Sequence, residues 1–121
     1  MNEQRIIIEM GMGNDQYGID CTKAAGRAIE DAIRHSSLPI IGALGISHDQ
    51  MRVQVTAGVQ EPAKVDTDDL TKRLPRGRVT VNAVQNGMNT AKYAEGNIIA
   101  IASAALEAFL PSQVGNYTLV D

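Results

Sequence analysis

A second cysteine is missing. Cys21 stands alone in 121 residues, so no internal disulfide can staple the chain, and its stability must come from a packed core. An excess of basic charge is missing too. Eleven Lys and Arg against 14 Asp and Glu give a formal charge of −3 and a sequence pI near 5.3. The two signs are mixed along the chain, leaving no basic stripe to attract a phosphate backbone, which argues against nucleic acid as a partner. No apolar run is long enough to span a bilayer: the most apolar segment, Ile98–Leu110, has 13 residues and is interrupted by Ser103 and Glu107. The opening Met-Asn-Glu-Gln-Arg lacks the apolar centre of a secretory signal. With the lone cysteine, this points to the cytoplasm and away from membranes. His35 and His48 stand far apart, with no His-x-x-x-His or cysteine pair, so no metal site is expected. Ser47-His48-Asp49 are adjacent and point in different directions, so they cannot form a catalytic relay. Internal repeats and low-complexity tracts are also absent.

What is present fits one domain over residues 1–121, long enough to bury a single core. Arg5–Met10 reads as a strand, its Ile6-Ile7-Ile8 run implying burial on both faces. After a glycine-rich segment, Asp20 is placed to cap a helix on which Ala24, Ala25, Ala28, Ile29, Ala32 and Ile33 recur at helical spacing, until Pro39 ends the pattern. Pro39–Asp49 reads as a loop. Met51, Val53, Val55, Ala57 and Val59 then alternate with polar or small residues, predicting a strand with one wet face. Asp66 or Thr67 starts a short helix through Leu74, with Asp68 and Asp69 at its positive end and Lys72 and Arg73 at its negative end. Arg78–Gln85 alternates as a third strand, and Asn86-Gly87 predicts a hairpin into a brief strand within Met88–Tyr93. The spacing from Asn97 to Leu110 predicts a last helix, apolar on most of its circumference, and Ser112–Asp121 has no periodicity. One sheet cannot cover such a helix, so a homo-oligomer is expected, although its alanines make the outer face only weakly apolar.

The segment Gly11–Gly18 draws attention, because Gly11, Gly13 and Gly18 sit with Asn14 and Asp15 between a strand and a helix. Three glycines in eight positions predict a tight loop that lets a ligand or a second backbone approach. A dinucleotide-binding Gly-x-Gly-x-x-Gly needs its third glycine two residues sooner, and the Gly-Lys-Ser/Thr ending of a phosphate-binding loop is absent, so no cofactor is expected. Lys23 and Arg27 follow one helical turn apart, and an anion at the free amides of the helix start would relieve their repulsion. The competing account pairs Lys23 with a nearby carboxylate and Arg27 with Asp31. Cys21, in the first helical turn, is either a thiol with lowered pKa or simply packed. Arg73, Arg76 and Arg78 form a basic corner around Pro75-Gly77, either solvated or reaching into a neighbour's glycine loop.

Gly11, Gly13, Asp15 and Gly18 together resemble the Gly-x-Gly-x-Asp-x-His-Gly hallmark of a small uncharacterised bacterial and plant family, with Tyr17 in the histidine position. The resemblance runs on through Asp20–Ala25, Arg27-Ala28 and Leu74–Gly77. A second similarity, of Gly13-Asn14 and Asp20-Cys21-Thr22-Lys23, is to one repeat of the cyanuric acid hydrolase and barbiturase group, ring-opening amidohydrolases of three similar domains. It implies a homotrimer, while the absence of a Ser-Gly-Gly nucleophile leaves serine catalysis unsupported. The element order predicts an α+β fold, a mixed sheet with helices mainly on one face, that looks like the Bacillus chorismate mutase architecture, in which trimers are frequent. The leading functional expectation is an oligomeric protein holding a small polar or anionic metabolite at Gly11, Gly13, Asn14, Gly18, Lys23 and Arg27. The alternatives are an enzyme of the ring-opening hydrolase or isomerase type with Asp15 or Tyr17 moving a proton, and a structural protein whose glycine loop packs subunits.

Overall fold

The first strand is longer than its apolar run implies. β1 covers Glu3–Asp15, so Gly11 and Gly13 extend the strand and are not the start of a loop. α1 (Cys21–Arg34) follows, then a 3-10 turn at His48–Gln50, β2 (Arg52–Val59), a 3-10 turn at Pro62–Lys64, α2 (Thr67–Lys72), β3 (Arg78–Gln85), β4 (Met88–Ala91) and β5 (Ile98–Pro111). This computed structural model describes residues 3–16, 19–34, 45, 47–74, 77–91, 98–112 and 115. The expected loop at 39–49 falls largely outside them, as does the tail beyond Ser112 apart from Gly115.

The strands lie in the order β1-β5-β2-β3, with β4 also paired to β5. β2 and β3 run parallel, while β5 is antiparallel to β1, β2 and β4. The result is the α+β architecture expected, a mixed sheet with both described helices on one face. α1 packs across β1, β5 and β2, and α2 sits against β3 and the side of α1. The helix-facing side holds the core: Ala24, Ala28 and Ile29 of α1 meet Val53, Val55 and Ala57 of β2 and the alanines of β5, and Leu70 closes the α2 end.

The predicted last helix is a strand, and the central one. Ala100, Ala102 and Ala104 recur at period two and are buried under α1, while Ile99, Ile101, Ser103 and Ala105 face the other way and are half-buried. The two polar residues that shaped the helical reading, Ser103 and Glu107, are four apart and share a face under either periodicity. Alanine favours helix by a few tenths of a kcal/mol per residue. Here that preference is overridden by ladder hydrogen bonds along both edges of β5, to β1 on one side and to β2 and β4 on the other. The inference of subunit contact from an all-round apolar helix loses its premise.

β4 is also found, but Asn86-Gly87 is not a hairpin. β4 pairs antiparallel to β5, as β2 does, so it runs in the direction of β3 and does not return along it. The Asn86 N–H donates to Val59 O at 2.8 Å, Gln60 Nε2 donates to Gly87 O at 2.8 Å, and the chain steps over the end of β2 to reach β5. Gly87 has φ +72°, and a Cβ there would stand 2.5 Å from Ile101 O and 2.8 Å from Gly58 O. Glycine is what that crossing requires.

Candidate functional site

β1 delivers Asp15 to the helix side of the sheet at the place where α1 begins. Asp15 is 2% exposed, the one buried charged residue among those described. Burying a carboxylate costs several kcal/mol unless donors replace its water. The donors are local: the Asp20 N–H donates to Asp15 Oδ2 at 2.9 Å, and Lys23 Nζ and Arg27 Nη1 stand 3.7 and 4.0 Å from Asp15 Oδ1. Arg27 Nη1 also donates to Asn14 O at 2.6 Å, tying the α1 side chain to the end of β1. No described buried side-chain nitrogen or oxygen lacks a partner.

The helix start is capped from within the chain. Asp20 is the N-cap expected: its Oδ1 accepts from Lys23 N at 3.1 Å, and its carbonyl accepts from Ala24 N at 3.0 Å. Ile19, before it, has φ +51°, a left-handed conformation costly for a β-branched residue, held by the tight return from Asp15. Thr22, the second residue of α1, accepts from Asp66 N at 2.8 Å and so joins the entry of α1 to the N-cap of α2. The Asp20 side chain, and not an external anion, accepts from the helix-start amide of Lys23, while the side chains of Lys23 and Arg27 converge on the Asp15 carboxylate. Lys23 thus pairs with a nearby carboxylate, but Arg27 does not pair with Asp31. Asp31 instead accepts from Met12 N at 3.1 Å and lies 3.8 Å from Arg34.

The glycines act through packing. An added Cβ at Gly11 would meet Ala28 O and would stand 2.5 Å from Ala32 N, and one at Gly13 would stand 2.5 Å from Ala24 O, all backbone atoms of α1. The missing side chains let the helix lie directly on β1, so these two residues sit on a strand and not in the loop expected, and the close backbone approach is made by α1. Asn14 is on the strand, its carbonyl held by Arg27, and Tyr17 and Gly18 lie outside the described residues. Cys21 is buried and free, packed into the core. Ser47 Oγ accepts from Asp49 N at 3.2 Å, a turn contact rather than a relay. Of the basic corner, Arg73 pairs with Asp69 and Glu30, Arg78 Nε donates to Asp49 O, and Arg76 lies outside the described residues.

Two features of the region escaped sequence reasoning. One is the reach of Asp31 to the β1 backbone, which carries no local signal. The other is the outward row of Ile8, Met10 and Met12, which alternates with Gly11 and Gly13 and was legible once the strand was extended past Met10. No described group of His, Cys, Asp and Glu is arranged to hold a metal, and no described helix is long and apolar enough to cross a membrane.

A family model described as "Conserved hypothetical protein (Lin0512_fam)" matches residues 5–108. Among solved structures, the chain is similar to an FtsZ-like protein of unknown function from Nostoc punctiforme PCC 73102, with a TM-score of 0.82 and 34% sequence identity, over 93% of this chain and 99% of that one. No curated protein matches it. Neither match supports the likeness to the cyanuric acid hydrolases.

Proposed function

The chain belongs to the conserved hypothetical family Lin0512_fam, which brings no activity with it, and we propose that it is a homo-oligomeric protein, with the geometry supporting the binding of a small polar or anionic molecule beside Lys23 and Arg27. The observation that carries this reading is the pair of half-exposed cations set against one oxygen of a buried carboxylate. Asp15 neutralises part of their charge and fixes their position. Beyond the Arg27 bond to Asn14 O, neither cationic head makes a hydrogen bond among the described residues. Both side chains are about half exposed, 52% for Lys23 and 47% for Arg27, and a carboxylate or phosphate oxygen is the natural acceptor for an ammonium and a guanidinium held side by side. Gly11 and Gly13 contribute by bringing α1 close to the strand end, and Asn14 by anchoring Arg27.

Calorimetric titration at low ionic strength with inorganic phosphate and with succinate tests the reading. Saturable binding of one probe is expected, weakened about tenfold in Lys23→Ala and in Arg27→Ala, because a charge-assisted hydrogen bond contributes about 1.5 kcal/mol or more. Lys72→Ala, on exposed α2, should leave the affinity unchanged. Full affinity in Lys23→Ala, or no saturable binding of either probe, leaves the corner as a packing device and removes the proposal.

A further inference from the structure

We propose that Asn86 is a site of spontaneous backbone rearrangement: its side-chain amide condenses with the Gly87 nitrogen, and the isoaspartyl product releases β4 from β5. The site lies apart from Lys23 and Arg27 and depends on neither the ligand nor the oligomer proposed above.

Asn86-Gly87 is the one Asn-Gly pair in the chain, and the fold spends it on crossing the end of β2. The Gly87 N–H donates to Asn86 Oδ1 at 2.8 Å. That bond folds the side chain back over its own C-terminal peptide, so Cγ, one covalent bond behind Oδ1, is brought beside the nitrogen it would react with. An intramolecular reaction gains most when its groups are already held together. Gly87 has no Cβ to shield its nitrogen, and Asn86 is exposed to water and hydroxide. The surroundings fix the pair: the Asn86 N–H donates to Val59 O at 2.8 Å, Gln60 Nε2 donates to Gly87 O at 2.8 Å, and Gly58 leaves the space that Asn86 Cβ fills, since a Cβ on Gly58 would stand 2.7 Å from it. Asn82 and Asn89 are exposed too, but Ala83 and Thr90 follow them and each lies within a strand.

The chemistry needs only water. Hydroxide removes the Gly87 amide proton, the nitrogen forms a bond to Asn86 Cγ, and the Cγ–Nδ2 bond breaks, Nδ2 leaving as ammonia with a proton taken from water. Water then opens the resulting five-membered succinimide at either carbonyl. Opening at Cγ gives an aspartyl residue on an unchanged path. Opening at the backbone carbonyl leads the chain through Cβ and Cγ, which lengthens it by one carbon and leaves the former peptide carbonyl as a carboxylate. Ammonia out and water in balance the change, with no oxidant or reductant.

The crossing has no slack for that carbon. Only Asn86 and Gly87 separate β3 from β4, and the Gly87 backbone already lies against Ile101 O and Gly58 O. β4 is the side that yields: it has four residues and its described ladder is to β5 alone, whereas β3 has eight residues laddered to β2 and backed by α2. Across β5, Met88 and Asn14 flank Ile101, and Asn89 and Asp15 flank Ala100. Release of β4 thus leaves Ile98 and Ile99 without a described ladder partner and loosens the strand that backs Asp15.

The test incubates the full chain at mildly alkaline pH and follows ammonia release, with peptide mapping that separates asparaginyl, aspartyl and isoaspartyl forms. Conversion at Asn86 should run about tenfold or more ahead of Asn82 and Asn89, because only Asn86 is followed by an unshielded nitrogen. The folded chain should convert at least as fast as the chain in urea, since the fold holds the side chain at that nitrogen. Asn86→Gln, which would need a six-membered ring, should lose the ammonia from this position. In aged protein the amides of 88–91 and 98–99 should exchange faster in a fraction equal to the isoaspartyl content, while fresh Asn86→Asp, with the charge but not the added carbon, should exchange as fresh wild type. An Asn86 that stays intact in the folded chain while it converts in urea overturns the site. Conversion with unchanged exchange in β4, or the same acceleration in fresh Asn86→Asp, overturns the release of β4.

Discussion

At Gly13 the backbone of α1 comes so near to β1 that a methyl group has nowhere to go. Its Cβ would stand 2.5 Å from Ala24 O and 2.6 Å from the Arg27 Cβ, and the helix backbone cannot retreat without opening the alanine core behind it. Gly13→Ala should therefore lose about 3 kcal/mol, the upper range of overpacking, read as a lower urea midpoint at unchanged slope. Gly26→Ala is the internal control. The atoms an added Cβ would meet there belong to the Arg73 guanidinium, the mobile end of a long side chain, and the gain in helix propensity of about 1 kcal/mol offsets that displacement. The glycines were legible as special positions in the sequence, but not the reason for them. Composition shows that a Cβ is missing and does not show which backbone moves into its place. For the same reason Asp15 was recognised as a site residue, while its partners needed the fold. Asp20 was visible as a cap from its position alone, whereas the approach of Lys23 and Arg27 to one oxygen depends on how far β1 runs before it turns.

Elements read from local signals held well. Asp20 starts α1, Asp66 caps α2 by accepting from Asp69 N, and β2 and β3 follow the alternation of their valines. These signals lie within a few residues of one another, so no knowledge of the fold is needed to see them. β5 differs because its evidence is shared between two periods. Alanines at 100, 102 and 104 suit a strand, those at 100, 104 and 108 suit a helix, and the sheet makes the choice. Across that strand the Glu3–Arg52 pair joins β1 to β2. The Glu3 carboxyl is held below its ordinary range chiefly by the hydrogen bonds from Arg52, with the charges of Arg52 and Arg78 adding and desolvation opposing. A lowered folded-state pKa means that the stabilisation is complete above the ordinary carboxylate pKa and disappears as pH falls through the folded value. Wild type and Glu3→Gln should accordingly differ in urea midpoint at pH 7 and converge once the pH falls below the folded-state value of Glu3. The difference should be small and reduced by salt, since the pair is exposed to solvent. A gap that persists unchanged in acid would assign the effect to packing.

For the molecule as a whole, the sheet order sets which parts open last. β5 is hydrogen-bonded along both edges and carries α1 on its buried face, whereas β1 and β3 each have one edge that no described strand pairs. The slowest amide exchange is therefore expected in β5 between Ala102 and Ala108, and β3 should exchange faster. Met12 is the exception to expect on the edge strand: its N–H is covered by Asp31, so its amide should be protected in wild type and exposed in Asp31→Ala. Uniform exchange across the strands would contradict this ordering. The same scale decides which residues share the sheet face opposite the described helices. No window of sequence reveals that Met10, Met88 and Val84, from three strands, share one surface, because they become neighbours only through β5 and β2. Residues a few positions apart determine caps, alternation and the α+β class through short-range sterics and hydrogen bonds, and these the chain states by itself. The helix-or-strand identity of 98–111, the direction of β4, the use of Gly11 and Gly13 and the grouping of Met10, Met88 and Val84 on one face depend on contacts between residues far apart in sequence, whose energies exist only once the chain has closed on itself.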